Sequence, residues 1–229
     1  MTDQVWGVPV DRYDVDVRAT FMKRVYGHLV AGVAAFVAIE VVLFQSGAAD
    51  AIADFVFGTS WLLILGGFML VSWMASSMAV RSTTPAAQYG GYAALIVAEA
   101  LIFVPMLWIA NEQAPGAIGN AAWISVLAFA GLSGVAITSS ADFSFLGVLL
   151  KWGGVVALLL IVGAVVFGAE LGTWFSVGMI AFAGAAILYD TQKILHNYPP
   201  DRVVAASMSL FASLALLFWY VLRLFMSRD

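Results

Sequence analysis

ILYDTQKILH, residues 187–196, begins as sequence fit for a membrane interior and then sets an aspartate, Asp190, inside it. An ionised carboxylate at the centre of a lipid-facing helix costs about 2.5–3.5 kcal/mol on insertion scales. A side chain under that penalty faces protein or a water-filled cavity, and it has a partner. Asp190 is therefore the leading candidate functional residue, and what surrounds it decides the reading.

The rest of the chain supports a membrane setting. Of 229 residues, 63% are hydrophobic and only 10% are charged. Soluble domains carry about 25% charged residues, so this chain cannot cover itself for water. It reads as an all-α polytopic membrane protein whose length suits one compact bundle. There is no cysteine, which excludes disulfides, thiolate chemistry and cysteine-based metal sites. A formal net charge of −4 gives nucleic acid no reason to bind. Phe, Trp and Tyr make up 14% of the chain, several at segment ends, as an interfacial belt requires.

Residues 1–20 are polar and include Asp3, Asp11, Asp14 and Asp16. They read as a cytoplasmic N-terminal segment ahead of a transmembrane domain over 21–229. A secretory signal starts basic and has a short apolar run, so no cleaved signal is expected. Seven apolar segments follow, each near the roughly 20 residues that cross a bilayer. They are predicted at 25–44, 61–80, 87–109, 117–138, 145–167, 173–195 and 203–226. Short linkers between them hold turn chemistry, such as Ser46-Gly47, Thr84-Pro85, Pro115-Gly116 and Pro199-Pro200.

Arg12, Arg18, Lys23, Arg24, Arg81, Lys151, Lys193 and Arg202 fall on the side of the N-terminus. The opposite loops carry Asp50, Asp54, Glu112 and Glu170, with no Lys or Arg. The positive-inside rule then places the N-terminus in the cytoplasm. Arg223 and Arg228 break the pattern. Either they snorkel from a helix end, or the last segment is re-entrant and the C-terminus returns.

Asp190 is expected roughly 10 Å from the cytoplasmic end of its helix, at 1.5 Å per residue. Lys193, three residues on, shares its face and is a candidate ion-pair partner. Arg81, ending the second span, sits at a comparable depth. A structural ion pair that pins two helices competes with a role in ion or proton passage, and passage is the stronger expectation. Calcium takes oxygen ligands; it is compatible with Asp190 and the other acids as a contact but is not shown by them. No resident cofactor is expected, and two distant histidines make a transition-metal site improbable.

Several stretches together resemble the Bax inhibitor-1 family, the transmembrane Bax inhibitor motif proteins. ILYDTQ is followed by a short polar loop and a last helix opening RVVAA (202–206). FMKRVYGHLVAG (21–32), ADFSFLG (141–147) and YVLRLFM (220–226) are similar to family segments in the same order. The resemblance covers nearly the whole chain and identifies it as a divergent, bacterial-type member. It implies seven helices with the last one central, and a pH-sensitive calcium leak. It also implies a gate of two aspartates sharing a proton, on the sixth and seventh helices, near an arginine ending the second. Asp190 matches the first aspartate and Arg81 the arginine, whereas the second aspartate position is Ser213. Two adjacent carboxylates cannot both ionise easily. With serine at 213 that coupling is lost, and pH gating weaker or differently placed than in dyad-bearing relatives is expected.

Three further features bear on a path. Ala205, Ser209 and Ser213 make a small stripe every four residues on the last helix, which favours close packing. Glu99 and Glu40 lie deeper in the third and first spans, and Glu99 is a candidate for the second acid of a cation path through Asp190, Glu99 and Glu40. The plainer reading has Glu40 in the outer interface and Glu99 hydrogen-bonded to a neighbouring helix. Asp142 and Ser144 read as an N-cap of the fifth span.

Other classes fare worse. GLSG (131–134) resembles the serine motif of rhomboid proteases, but no later span carries a histidine base, so no enzyme is expected. A retinal protein needs a lysine in the last span, and residues 203–229 have none. The serious rival is a non-conducting interaction protein that modulates membrane-protein quality control or cell-death and stress responses, with a membrane protease or other membrane protein as partner. The lipid bilayer, with calcium or protons, is the partner set of the first reading, and a bacterial inner (plasma) membrane is the expected location.

Overall fold

In hydrocarbon every backbone N–H and C=O must be satisfied within the chain, so apolar runs of this length become helices. The computed structural model describes residues 8–82 and 84–227. Among them a short 3₁₀ turn, Val10–Arg12, precedes α1 (Val15–Gln45), α2 (Ala48–Phe57), α3 (Trp61–Arg81) and α4 (Pro85–Gln113). Then come α5 (Ala117–Thr138), α6 (Leu146–Phe167), α7 (Thr173–Asn197) and α8 (Val203–Met226). Seven of these are long and apolar enough to cross a membrane, and each contains most of a predicted span. The protein is an integral membrane protein with seven spans.

The eighth helix, α2, is an addition to the predicted set. Its buried residues Ala49, Ala53 and Val56 recur at helical spacing. Gly47 (φ 76°) makes the turn between α1 and α2, a left-handed conformation that glycine adopts without steric cost. Asp50 of α2 accepts the Trp108 indole N–H of α4 at 2.9 Å. One acid of the far face is thus tied into the bundle.

α1 starts ten residues before its predicted span. The preceding turn is fastened to the α7–α8 connection: Val10 is fully buried, and its N–H donates to the Tyr198 carbonyl at 2.9 Å. Asp11 lies 3.4 Å from His196.

Helix α8 is the hub. It touches α1, α3, α4, α5 and α7, and its side chains Leu210, Leu217 and Leu222 are fully buried. α6 is peripheral, touching α7 and, lightly, α3. α3 leans chiefly on α4. Their approach is close because Gly91 lacks a Cβ, which would sit 2.5 Å from the Ala75 carbonyl oxygen.

The two ends of α8 decide the path of the C-terminus. Arg202, just before α8, donates to the Val80 and Ser82 carbonyls at 3.2 and 2.7 Å. Arg223, near the other end, donates to the Leu171 carbonyl at 2.6 Å, and Leu171 lies in the α6–α7 connection on the opposite face. The last segment therefore crosses without re-entry, and Arg223 caps the far side. Arg228 lies outside the described residues.

Candidate functional site

Successive residues of an α-helix project about 100° apart. Residues 189–192 of α7 therefore reach in four directions. Tyr189 packs on α6, where a Cβ on Gly147 would lie 2.8 Å from its ring. The Ser213 hydroxyl of α8 donates to Asp190 Oδ2 at 2.6 Å. Thr191, fully buried, pairs its hydroxyl with that of Ser133 on α5 at 3.5 Å. Gln192 reaches the α5–α6 connection: its Oε1 accepts the Phe143 N–H at 2.6 Å, and its Nε2 donates to the Ala141 carbonyl at 2.7 Å. The ILYDTQ and ADFSFLG stretches, distant in sequence, are thus joined by two hydrogen bonds.

Asp190 and Ser213 stand in the wall of a cavity of ≈ 390 Å³ between α3, α4, α7 and α8. Its polar lining is Ser72 and Ser76 of α3, Glu99 of α4, Asp190 of α7, and Ser209 and Ser213 of α8. Phe68, Leu95, Met208 and Leu216 supply apolar walls. Two serine pairs spaced by one turn thus share a cavity with two carboxyl groups. Ser72 Oγ is buried without a hydrogen-bond partner among the described residues. A buried hydroxyl left unpaired costs about 1–3 kcal/mol, which a water or a cation in the cavity would relieve. The polar groups set among these apolar walls are all hard oxygen donors, the kind that calcium takes.

The stripe Ala205, Ser209 and Ser213 lines this cavity, so its small side chains leave space there as well as permitting close packing. Glu99 is buried at 8% exposure and does line the cavity, as a second acid would. Glu40 is equally buried, and neither of its oxygens has a hydrogen-bond partner among the described residues. It is not part of the cavity lining, so the successive-acid arrangement stops at Glu99.

Neither expected cationic partner makes a close ion pair with Asp190 among the described residues. Arg81 is exposed at the end of α3, and no ion pair joins it to Asp190 among the described residues. The carbonyls at that helix end attract a guanidinium, and buried Arg202 takes them instead. Sequence reading missed Arg202, although its place one residue before the last span was a signal. Lys193 is also exposed, with its ammonium 5.6 Å from the centre of the Tyr189 ring; it makes no close ion pair with Asp190 among the described residues, but its charge acts on that carboxylate through space.

Asp142 does not cap a helix. Its carboxylate accepts the Ser144 N–H at 2.8 Å and the Ser144 hydroxyl at 3.0 Å, forming an Asx turn ahead of α6. Phe145 is the N-cap residue of α6, with no side-chain cap. The Ser144 backbone bond, then the Ser144 hydroxyl, hold the Asp142 carboxyl below the usual aspartate range, and the nearby His196 adds to this.

Comparison with known proteins agrees with this architecture. The chain is 32% identical over 111 residues to an uncharacterised protein, PA2604, of Pseudomonas aeruginosa. That match takes in 47% of this chain and 49% of the relative, so it spans about half the length of the relative. A family model described as "Inhibitor of apoptosis-promoting Bax1" matches residues 18–229. With nearly every span inside that match, and Asp190 and Ser213 meeting across the central helix, the chain belongs to the Bax inhibitor-1 family.

Proposed function

We propose that the protein is a pH-sensitive cation leak of the Bax inhibitor-1 type, with calcium as the permeant ion. The observation that carries the reading is the Ser213–Asp190 hydrogen bond in the wall of a cavity that also holds Glu99 and three more serines, next to the central helix. An ionised Asp190 can trade its serine partner for a cation. A protonated Asp190 is neutral and offers a cation far less. Glu99 supplies a second carboxyl in the same space, and the serine hydroxyls and water complete the six to eight oxygens that calcium takes. Among the described residues no cluster of three acids or histidines is present. Weak holding of this kind suits passage, because conduction needs a site that releases its ion.

Calcium flux into liposomes holding the purified protein tests this. Asp190→Asn is expected to lower flux by about tenfold or more, the worth of one charge-assisted contact of about 1.5–3 kcal/mol. Glu99→Gln is expected to lower it less, and unchanged flux in that variant would take Glu99 out of the path. An absent leak, together with co-purification of a membrane protease, would replace this reading with that of an interaction protein.

A further inference from the structure

A second recess lies at the basic end of the bundle, where the last turns of α7 meet the α5–α6 connection. It measures ≈ 500 Å³ and is walled by the α5–α6 connection on one side and the last turns of α7 on the other. Asp142, with Ser139 and Ser140, lines the first wall, and Lys193, His196 and Asn197 line the second. Neither Asp190 nor any other lining residue of the inner cavity belongs to it.

The recess is built rather than incidental. Gln192 ties the loop wall to α7 through both ends of its amide. Asp142 fixes the next turn through Ser144. The Ala141 N–H donates to the Ser139 hydroxyl at 3.0 Å. The Lys193 ammonium rests over the Tyr189 ring, an arrangement that orients a cation at little cost. His196 has its Nδ1 edge 3.4 Å from Asp11, which leaves Nε2 for another partner.

Charge and position define what fits. One wall carries a carboxylate and the other an ammonium and an imidazole. A bare phosphate would meet Lys193 but also face Asp142 unanswered. A choline headgroup brings a cation with no N–H to donate. A headgroup with a phosphate and a primary ammonium satisfies both walls, the phosphate on Lys193 and His196, the ammonium on Asp142. The site spans the last turns of α7 and the connection between the end of α5 and the start of α6, the level at which the short polar linkers meet the headgroup layer. One residue after Ser144 begins an exposed apolar stripe on α6, made of Phe145, Val148, Leu149 and Trp152, each more than half exposed. Acyl chains can lie on that stripe while the headgroup enters the recess.

We propose that this recess binds the phosphoethanolamine headgroup of a membrane phospholipid. The chemistry needs only a phosphate and an ammonium, so a water-soluble phosphoethanolamine is the other source to be separated. Native mass spectrometry of the full chain in detergent would do so, with phosphatidylethanolamine, phosphatidylcholine and phosphatidylglycerol of identical chains. Phosphatidylethanolamine is expected to bind about five- to tenfold more tightly than the other two, the effect of one charge-assisted contact. Asp142→Asn should erase that preference over phosphatidylcholine while keeping the acceptor for Ser144 that shapes the loop. Lys193→Gln should weaken all three lipids together. Equal binding of the three lipids by the native protein would overturn the proposal, as would a preference that survives Asp142→Asn. If soluble phosphoethanolamine binds as tightly as the lipid, the lipid assignment is wrong.

Discussion

Ser213 holds Asp190 through one hydroxyl, at 2.6 Å and near the middle of the bundle. A hydroxyl is donor and acceptor together, so it can serve a carboxylate or turn to a water. Ser213→Ala takes away that donor and should cost about 1–3 kcal/mol, the penalty for a buried polar group left without its partner. Thermal unfolding in detergent would read it. Ser213→Asp instead restores the two-carboxylate arrangement that the family resemblance implies. Because such a pair cannot readily ionise together, calcium flux in that variant should differ more between about pH 6 and about pH 8 than in the native protein. Identical profiles would show that residue 213 has no part in sensing pH. Asp142 is the residue whose titration lies outside the membrane. Its carboxyl is lowered from 3.8 in the fold. A depressed carboxyl stabilises the fold above its unfolded pKa and loses that contribution as pH falls through the folded value. The Asx turn should therefore stay closed at about pH 5 and loosen only below about pH 4, as followed by the ¹³C shift of the Asp142 carboxyl. The Asp190–Ser213 contact was legible through the family resemblance, which set Ser213 at the place of an acid facing Asp190. The choice between Arg81 and Arg202 was not. It turns on which guanidinium reaches the open carbonyls of α3, and depth alone does not give direction around a helix.

At the scale of elements, α3 borders the cavity but leans mainly on α4. Small residues set that contact: Ala75 and Ala79 of α3 meet Gly91 of α4, where a Cβ would fall 3.0 Å from the Ala79 nitrogen and closer still to the Ala75 carbonyl. Backbone cannot give way as a side chain can. Gly91→Ala should push α3 outward and destabilise the protein by about 1–3 kcal/mol, the usual penalty of overpacking. Calcium flux should change with it, since Ser72 and Ser76 ride on α3. A variant with native thermal stability and native flux would show that α3 is not held by this crossing. Long apolar segments announce themselves by length, and all seven were readable for that reason. The ten-residue α2 was too short for a span and was read as part of a linker, although Ala49, Ala53 and Val56 carry a helical period. The cavity was invisible to the sequence. The stripe of Ala205, Ser209 and Ser213 looks alike whether another helix closes on it or stands off from it.

At the scale of the whole molecule, seven crossings put the start of α1 and the end of α8 on opposite faces. Two contacts fix this in the fold: Val10 bonds Tyr198 on the N-terminal face, and Arg223 bonds Leu171 on the far one. The basic residues crowd the N-terminal face, with Arg18, Lys23, Arg24, Arg81, Lys151, Lys193 and Arg202. We propose from the positive-inside rule that this face lies in the cytoplasm. The exception, Arg223, is explained by its bond to a backbone carbonyl at a helix end, which spares it a place in lipid. Because the chain has no cysteine, orientation can be read with single introduced thiols and a membrane-impermeant reagent. Ser140→Cys, in the α5–α6 connection, should label only after the cytoplasmic side is opened. Ser227→Cys, just past α8, should label from the outside of intact cells. If both thiols label from one side, α8 cannot cross, and the central helix that carries Ser213 to Asp190 would have to be drawn again.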